Sequence, residues 1–149
     1  MTEVRFYHLT RTTLEAALPQ LVRKVLERDM RAVIMAGTND RVEALTELLW
    51  AFDQASFLPH GSRKDGYPEH QPVYLTNEDT NPNGASVLFL VDGMATEQPE
   101  TFQIVAELFD GGDEDAVATA RQRWKQYKRQ GFTLTYWQQD QQGRWHKGA

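Results

Sequence analysis

Arg121, Trp124, Lys125 and Lys128 fall at i, i+3, i+4 and i+7 within the segment ARQRWKQYKRQGF. On a helix this spacing gathers three cations and an indole on one face. A planar guanidinium can chelate a carboxylate through two parallel hydrogen bonds, while ammonium groups act as point charges. An indole beside them offers a wall for an apolar group. This set is suited to holding an acidic, apolar-tipped peptide, and it contains nothing that makes or breaks a bond. A second stripe, Val117, Ala120, Trp124 and Tyr127, has the spacing of a narrow buried face. Trp124 belongs to both stripes, so its expected place is the rim of the core.

The other reactive side chains form less specific sets. The segment from His60 to His70 holds two imidazoles and two carboxylates, Asp65 and Glu69. Such groups could ligate a metal. Their spacing matches no compact ligand motif on a helix face, so a polar surface loop is the plainer reading. An alternative function, a small metal- or nucleotide-dependent enzyme, would have to use this His60–His70 loop. His8 reads as a hydrogen-bonded, half-buried strand residue. Asp110, Asp113, Glu114 and Asp115 cluster where a helix should start, and the helix dipole accounts for them. The turn Met35-Ala36-Gly37-Thr38-Asn39-Asp40 has one glycine where a dinucleotide fingerprint needs three. A phosphate could still meet the N-terminus of the helix that follows. No GxxxxGK[ST] or GxSxG motif occurs. With no cysteine, disulfides, thiolate zinc sites and a cysteine nucleophile are excluded. No catalytic set can be assembled, and no cofactor or metal is expected.

The elements that must position the cationic face follow from patterning. The chain has 149 residues, a length that fits one domain, 1–149, with a real core. Val4 to Leu9 reads as a first strand. Thr12 and Glu15 have capping-box spacing, and Leu14, Leu18, Leu21, Val22, Val25 and Leu26 recur at helical spacing. Pro19 interrupts them: either the helix is kinked there or, the reading we favour, a first turn ends and the main helix starts at Pro19 as its first residue. Ala32 to Met35 is a second strand. A second helix follows with Asp40 as its N-cap and Val42, Leu45, Leu48, Leu49 and Phe52 inward. Val73 to Thr76 and Ser86 to Val91 read as strands, the latter central. Thr101 to Phe109 is a further strand, with Phe102, Ile104 and Leu108 on one side. A last helix opens on Asp113, Glu114 and Asp115, closes on basic residues and stops at Gly131. Phe132 to Gln138 alternates as a strand. Alternating strands and helices predict an α/β fold with a mostly parallel sheet and flanking helices. The polar segment 140–149 reads as a flexible, frayed tail.

Charge and aromatic content narrow the function. The net charge is −5 with a pI near 5.3, which argues against broad nucleic-acid affinity but leaves room for a local basic patch. The first residues lack the pattern of a secretory leader, and no run is long enough to span a membrane, so a cytoplasmic protein is expected. Trp50, Phe57, Leu58 and Pro59 are crowded at the end of the second helix. They read either as a roof on the sheet or as an exposed anchor for a protein partner. Trp137 is expected on the face opposite Phe132, at or near the cationic face if its strand lies beside the last helix.

Three segments carry a family resemblance: FYHL (Phe6 to Leu9), the block from LLW to SFLPH (Leu48 to His60), and ARQRWKQYKRQGF (Ala120 to Phe132). In this order and spacing the chain resembles the chi subunit of bacterial DNA polymerase III holoenzyme over nearly its full length. The resemblance implies a single Rossmann-like domain without enzymatic activity, acting as an accessory in the clamp-loader assembly. It implies binding of the acidic C-terminal tail of single-stranded-DNA-binding protein through Arg121, Trp124, Lys125 and Lys128. It also implies a psi subunit, or another clamp-loader component, bound through Trp50, Phe57, Pro59 and His60. Trp124 stands where a tyrosine is familiar in the family, and Val117 where some members have a lysine. A tail ending in aspartates, proline and phenylalanine needs an apolar slot for its ring and cations for its carboxylates, and the cationic stripe can supply both.

Overall fold

The computed structural model describes residues 2–51, 61–62 and 67–148. Three helices and an eight-stranded sheet are formed by these residues. In chain order they are β1 (Glu3–Leu9), α1 (Leu14–Glu27), β2 (Ala32–Met35), α2 (Asn39–Ala51), β3 (Gly61–Ser62), β4 (Val73–Thr76), β5 (Val87–Leu90), β6 (Ile104–Asp110), α3 (Glu114–Arg129), β7 (Thr133–Gln139) and β8 (Trp145–Lys147). The strand order is β3-β4-β2-β5-β6-β1-β7-β8. Each pairing is parallel except the last, where β8 runs antiparallel to β7. The α/β architecture is the one patterning predicts.

The sheet buries both faces, so its inner strands are apolar without alternation. β2, β4 and β5 are buried at every residue. On one face Leu18, Leu21, Val22 and Val25 of α1 and Val42, Leu45 and Leu49 of α2 cover Ile34, Leu75, Phe89 and Leu108. On the other face α3 packs Ala120 and Tyr127 over Val4, Phe6, Leu88 and Val105. Ile104 and Leu108 belong to the first face, as their phase requires, but Phe102 lies outside the strand and joins the second cluster. The expected grouping of those three residues is therefore corrected.

Helix boundaries show three further differences. α1 starts at Leu14 and runs through Pro19 instead of beginning there. Thr13, not Thr12, is its cap, accepting from the Ala16 N–H at 3.2 Å. Pro19 removes one backbone hydrogen bond, but its ring is buried with Leu18 and Leu21 in the core, and that burial offsets the loss. At α2 the cap is Thr38, whose hydroxyl accepts from the Arg41 N–H at 3.1 Å, and Asp40 lies within the helix. Phe52 lies outside the described residues.

The C-terminal segment carries a strand where a frayed tail was expected. Asp140 organises the turn before it: Oδ1 accepts from the Gln142 and Arg144 N–H groups, each at 2.9 Å. Gly143, at φ +79°, supplies the left-handed residue. Trp145 then meets Tyr7 edge-on, with ring centroids 5.0 Å apart.

Candidate functional site

Sequence alone prescribes the geometry of α3. Asp113 caps it, accepting from the Asp115 N–H at 3.0 Å and the Ala116 N–H at 3.3 Å. Gly131, at φ +86°, ends it. Between them the buried stripe fixes rotation about the axis. Ala120 and Tyr127 are buried, and Val117 and Trp124 are half-buried. Trp124 meets Phe6 of β1 edge-on at 5.3 Å and leaves part of its indole in solvent.

That rotation leaves Arg121, Lys125 and Lys128 exposed beside the indole. None of them is held in an ion pair among the described residues. Among the described residues, no carboxylate neutralises their positive charge through an ion pair. Phe132, Leu134 and Tyr136 of the following segment pack on the same face of the sheet and continue the apolar surface beyond Trp124.

Two further residues, His8 of β1 and Tyr136 of β7, lie on the α3 face of the sheet, and the Arg121 charge acts on both. The His8 Nδ1 and the Tyr136 hydroxyl form a hydrogen bond. The imidazole stacks on Phe109, with ring centroids 4.8 Å apart. Burial first, and the Arg121 charge second, push the His8 imidazole below its ordinary range, while Asp110 works in the opposite direction. Burial pushes the Tyr136 phenol up. The period-2 series Val4, Phe6, His8 and Leu134, Tyr136 was a usable signal, because it puts both side chains on the α3 face.

Trp137 does not join them. It points to the opposite face, where it stacks on Tyr7 at 6.0 Å and lies under the Arg5 guanidinium at 5.6 Å. Its Nε1–H donates to the Thr135 hydroxyl at 3.0 Å. The expectation that it borders the cationic face is corrected: β7 does follow α3, but strand alternation sends Trp137 away from Tyr136.

Behind the exposed face lies a buried ion pair that sequence periodicity did not reveal. Arg123 turns inward, and its guanidinium donates to Glu107 Oε1 at 2.7 Å, to the Met94 carbonyl at 2.7 Å and to the Gly93 carbonyl. Glu107 sits in the middle of β6 and is buried. Burial pushes its carboxyl up, opposed by Arg123. Burial also pushes the neighbouring Tyr127 phenol well above its usual range.

The crevice where an open α/β sheet holds a ligand lies elsewhere. α1 leaves β1 toward one face and α3 leaves β6 toward the other, so the neighbouring strands β1 and β6 define a topological switch point. A cavity of about 590 Å³ opens at their C-terminal ends. Its lining has six carboxylates, Glu15, Asp92, Glu107, Asp110, Asp113 and Asp115, against two guanidiniums, Arg41 and Arg123. Both guanidiniums are engaged, Arg41 with Glu15 at 2.9 Å and Asp92 at 3.1 Å. Asp92 Oδ2 also accepts from the Gly37 N–H at 3.2 Å. An internal carboxylate thus occupies the N-terminal end of α2 where a phosphate would bind, and the surrounding charge repels anions.

Of the second expected surface, Phe57, Pro59 and His60 lie outside the described residues, and Trp50 is placed only as a residue of α2. The same holds for His60 and Asp65 of the His60–His70 loop, while His70 is exposed, 3.8 Å from Glu69. Among the described residues no three His, Cys, Asp or Glu side chains are placed to hold a metal ion.

Known proteins share both sequence and shape with the chain. A family model described as DNA polymerase III chi subunit, HolC, matches residues 1–135. A "Probable DNA polymerase III subunit chi" of Rickettsia prowazekii (strain Madrid E) is 34% identical over 91 residues, 61% of this chain. The match spans 55% of that relative's length. The C-terminal domain of S. cerevisiae Dbp5, solved bound to Gle1 and IP6, superposes with a TM-score of 0.55 over 91% of this chain and 90% of that one. At 12% identity this second likeness concerns the fold alone.

Proposed function

The chain belongs to the DNA polymerase III chi subunit family, and from that premise we propose that it is a non-catalytic accessory subunit that grips the acidic C-terminal tail of single-stranded-DNA-binding protein and bridges it to the clamp-loader assembly. The observation that carries this reading is the exposed trio Arg121, Lys125 and Lys128 beside a half-exposed Trp124. Exposed cations of this kind attract an acidic chain end, and the indole gives its terminal ring a surface to pack on. Arg121 takes a carboxylate through its fork, and the lysines follow the remaining acids as point charges. The overall charge of −5 keeps nucleic acid away while the local patch draws in a peptide. Binding is weak and reversible, in the micromolar range, about −8 kcal/mol.

The second half of the proposal, a psi subunit docked at Trp50, Phe57, Pro59 and His60, rests on the family resemblance. Work in the cytoplasm fits a replication subunit, and no helix among the described residues is long and apolar enough to cross a membrane.

Calorimetric titration with a synthetic peptide of aspartates followed by proline and a C-terminal phenylalanine tests the tail site. Trp124→Ala should weaken binding about tenfold by removing the packing surface. Lys125→Glu should weaken it at least as much by placing a like charge against the aspartates. Unchanged affinity in both variants would remove the site from α3.

A further inference from the structure

We propose that His8 and Tyr136 form the far wall of this site and that a carboxylate docking beside Arg121 is bound together with a proton taken up on His8. The inference rests on the tail-binding reading above and adds to it two residues, on β1 and β7, and a chemical coupling.

The geometry that carries it is a hydrogen-bonded pair on the α3 face of the sheet: His8 stacks on Phe109, and Phe109 and Trp124 both meet the Phe6 ring, at 6.4 and 5.3 Å. The His8 ring is held from three sides. Phe109 stacks on it at 4.8 Å, the Tyr136 hydroxyl bonds Nδ1, and Gly111 lies against Nε2. A Cβ at Gly111 would come within 2.3 Å of that nitrogen, so the absence of a side chain at that position is what admits the imidazole. Both His8 and Tyr136 are half-buried, which leaves each an exposed edge.

The charged groups around His8 come from two elements. Asp110, at the end of β6, favours the imidazolium, whereas Arg121 of α3 opposes it. With His8 neutral and its proton on Nε2, the Tyr136 hydroxyl donates to Nδ1 and has no proton to offer a guest. A carboxylate on Arg121 cancels the opposing charge and adds a favourable one. Nδ1 then takes one proton from solvent and keeps it, and the new N–H hydrogen-bonds to the phenol oxygen. The Tyr136 O–H is released and turns toward the carboxylate as a second donor beside the guanidinium. The only bond formed is the Nδ1–H, and the balance is at most one proton gained per guest bound, the fraction being set by the pH. Affinity should therefore rise as pH falls across the His range, while the aspartates of the guest, with ordinary values of about 3.9, stay ionised.

The test is calorimetry of the N-acetylated aspartate–proline–phenylalanine peptide with the full chain, in PIPES and in imidazole buffer, repeated across the neutral range. Wild type should take up a fraction of a proton per peptide and bind about threefold tighter near pH 6 than near pH 7.5. His8→Gln should still bind but lose both the uptake and the pH dependence, and Tyr136→Phe should bind more weakly. Proton NMR of the His8 ring in wild type, with and without peptide, gives a readout that needs no variant, and its titration should move up on binding. Peptide binding with no proton uptake and an unmoved His8 titration would overturn this inference and leave the tail site standing. No binding at any pH would overturn the tail site itself.

Discussion

Glu107 and Arg123 are the residues where one substitution should cost the fold most. A carboxylate in the middle of β6 is tolerable only because Arg123 reaches it at 2.7 Å and anchors itself on two carbonyls of the loop after β5. Removing one partner leaves a charge in a low-dielectric interior. Arg123→Ala is expected to destabilise the protein by about 3 kcal/mol, and Glu107→Gln by clearly less, since a neutral amide can still accept from the guanidinium. Urea unfolding followed by circular dichroism checks both, and equal midpoints for Arg123→Ala and wild type would show that the pair is not structural. Gln139 is another residue with a task that its sequence neighbours did not signal. Its Oε1 accepts from the N–H groups of Thr10, Arg11 and Thr12 at 3.1, 3.0 and 3.3 Å, tying the β1–α1 loop to β7. Neither pairing has a local sequence signature, because both partners lie far apart in the chain.

At the scale of elements, the sequence declared most of what it builds. The caps and stripes of α3, the apolar strands β2, β4 and β5, and the alternation of β7 are local signals, and each names its own structure. The misjudged pieces are those where a distant partner decides. Pro19 stays inside α1 because the sheet buries that face of the helix, and Trp137 turns toward Tyr7 because β7 pairs with β1. The polar segment after Gln139 becomes β8 because Trp145 finds Tyr7 and because Asp140 gathers the turn. The cationic stripe can be read from α3 alone; strand alternation gives the facing of His8 and Tyr136, while their contact depends on the pairing of β1 with β7. The turn also makes a prediction. A hydrogen bond to His146 first, and the backbone N–H groups of Arg144 and Gln142 with it, hold Asp140 down to about 2. A depressed carboxylate contributes stability that is complete above its unfolded value of about 3.9 and is lost as pH falls through about 2. Amide exchange of β8 should therefore speed up in that acid window before the parallel sheet opens, and Asp140→Asn should abolish the selective effect. Uniform exchange across β7 and β8 at every pH would refute this role for Asp140.

At the scale of the molecule, topology and charge divide the surface by task. The switch-point crevice of an α/β sheet is where nucleotide chemistry would be sought, yet here carboxylates line it and Asp92 takes the anion position at α2. Arg121, Lys125 and Lys128 are instead exposed on the solvent side of α3, beside the half-buried Trp124. Surface charges of this kind are screened beyond roughly 8–10 Å at physiological ionic strength. The measurement that tests the account most directly is the affinity of the acidic peptide over a salt series, for wild type and for Arg121→Ala. Wild-type affinity should fall steadily as salt rises, and Arg121→Ala should bind about tenfold more weakly with a shallower dependence. Affinity that ignores both added salt and the loss of Arg121 would contradict the account.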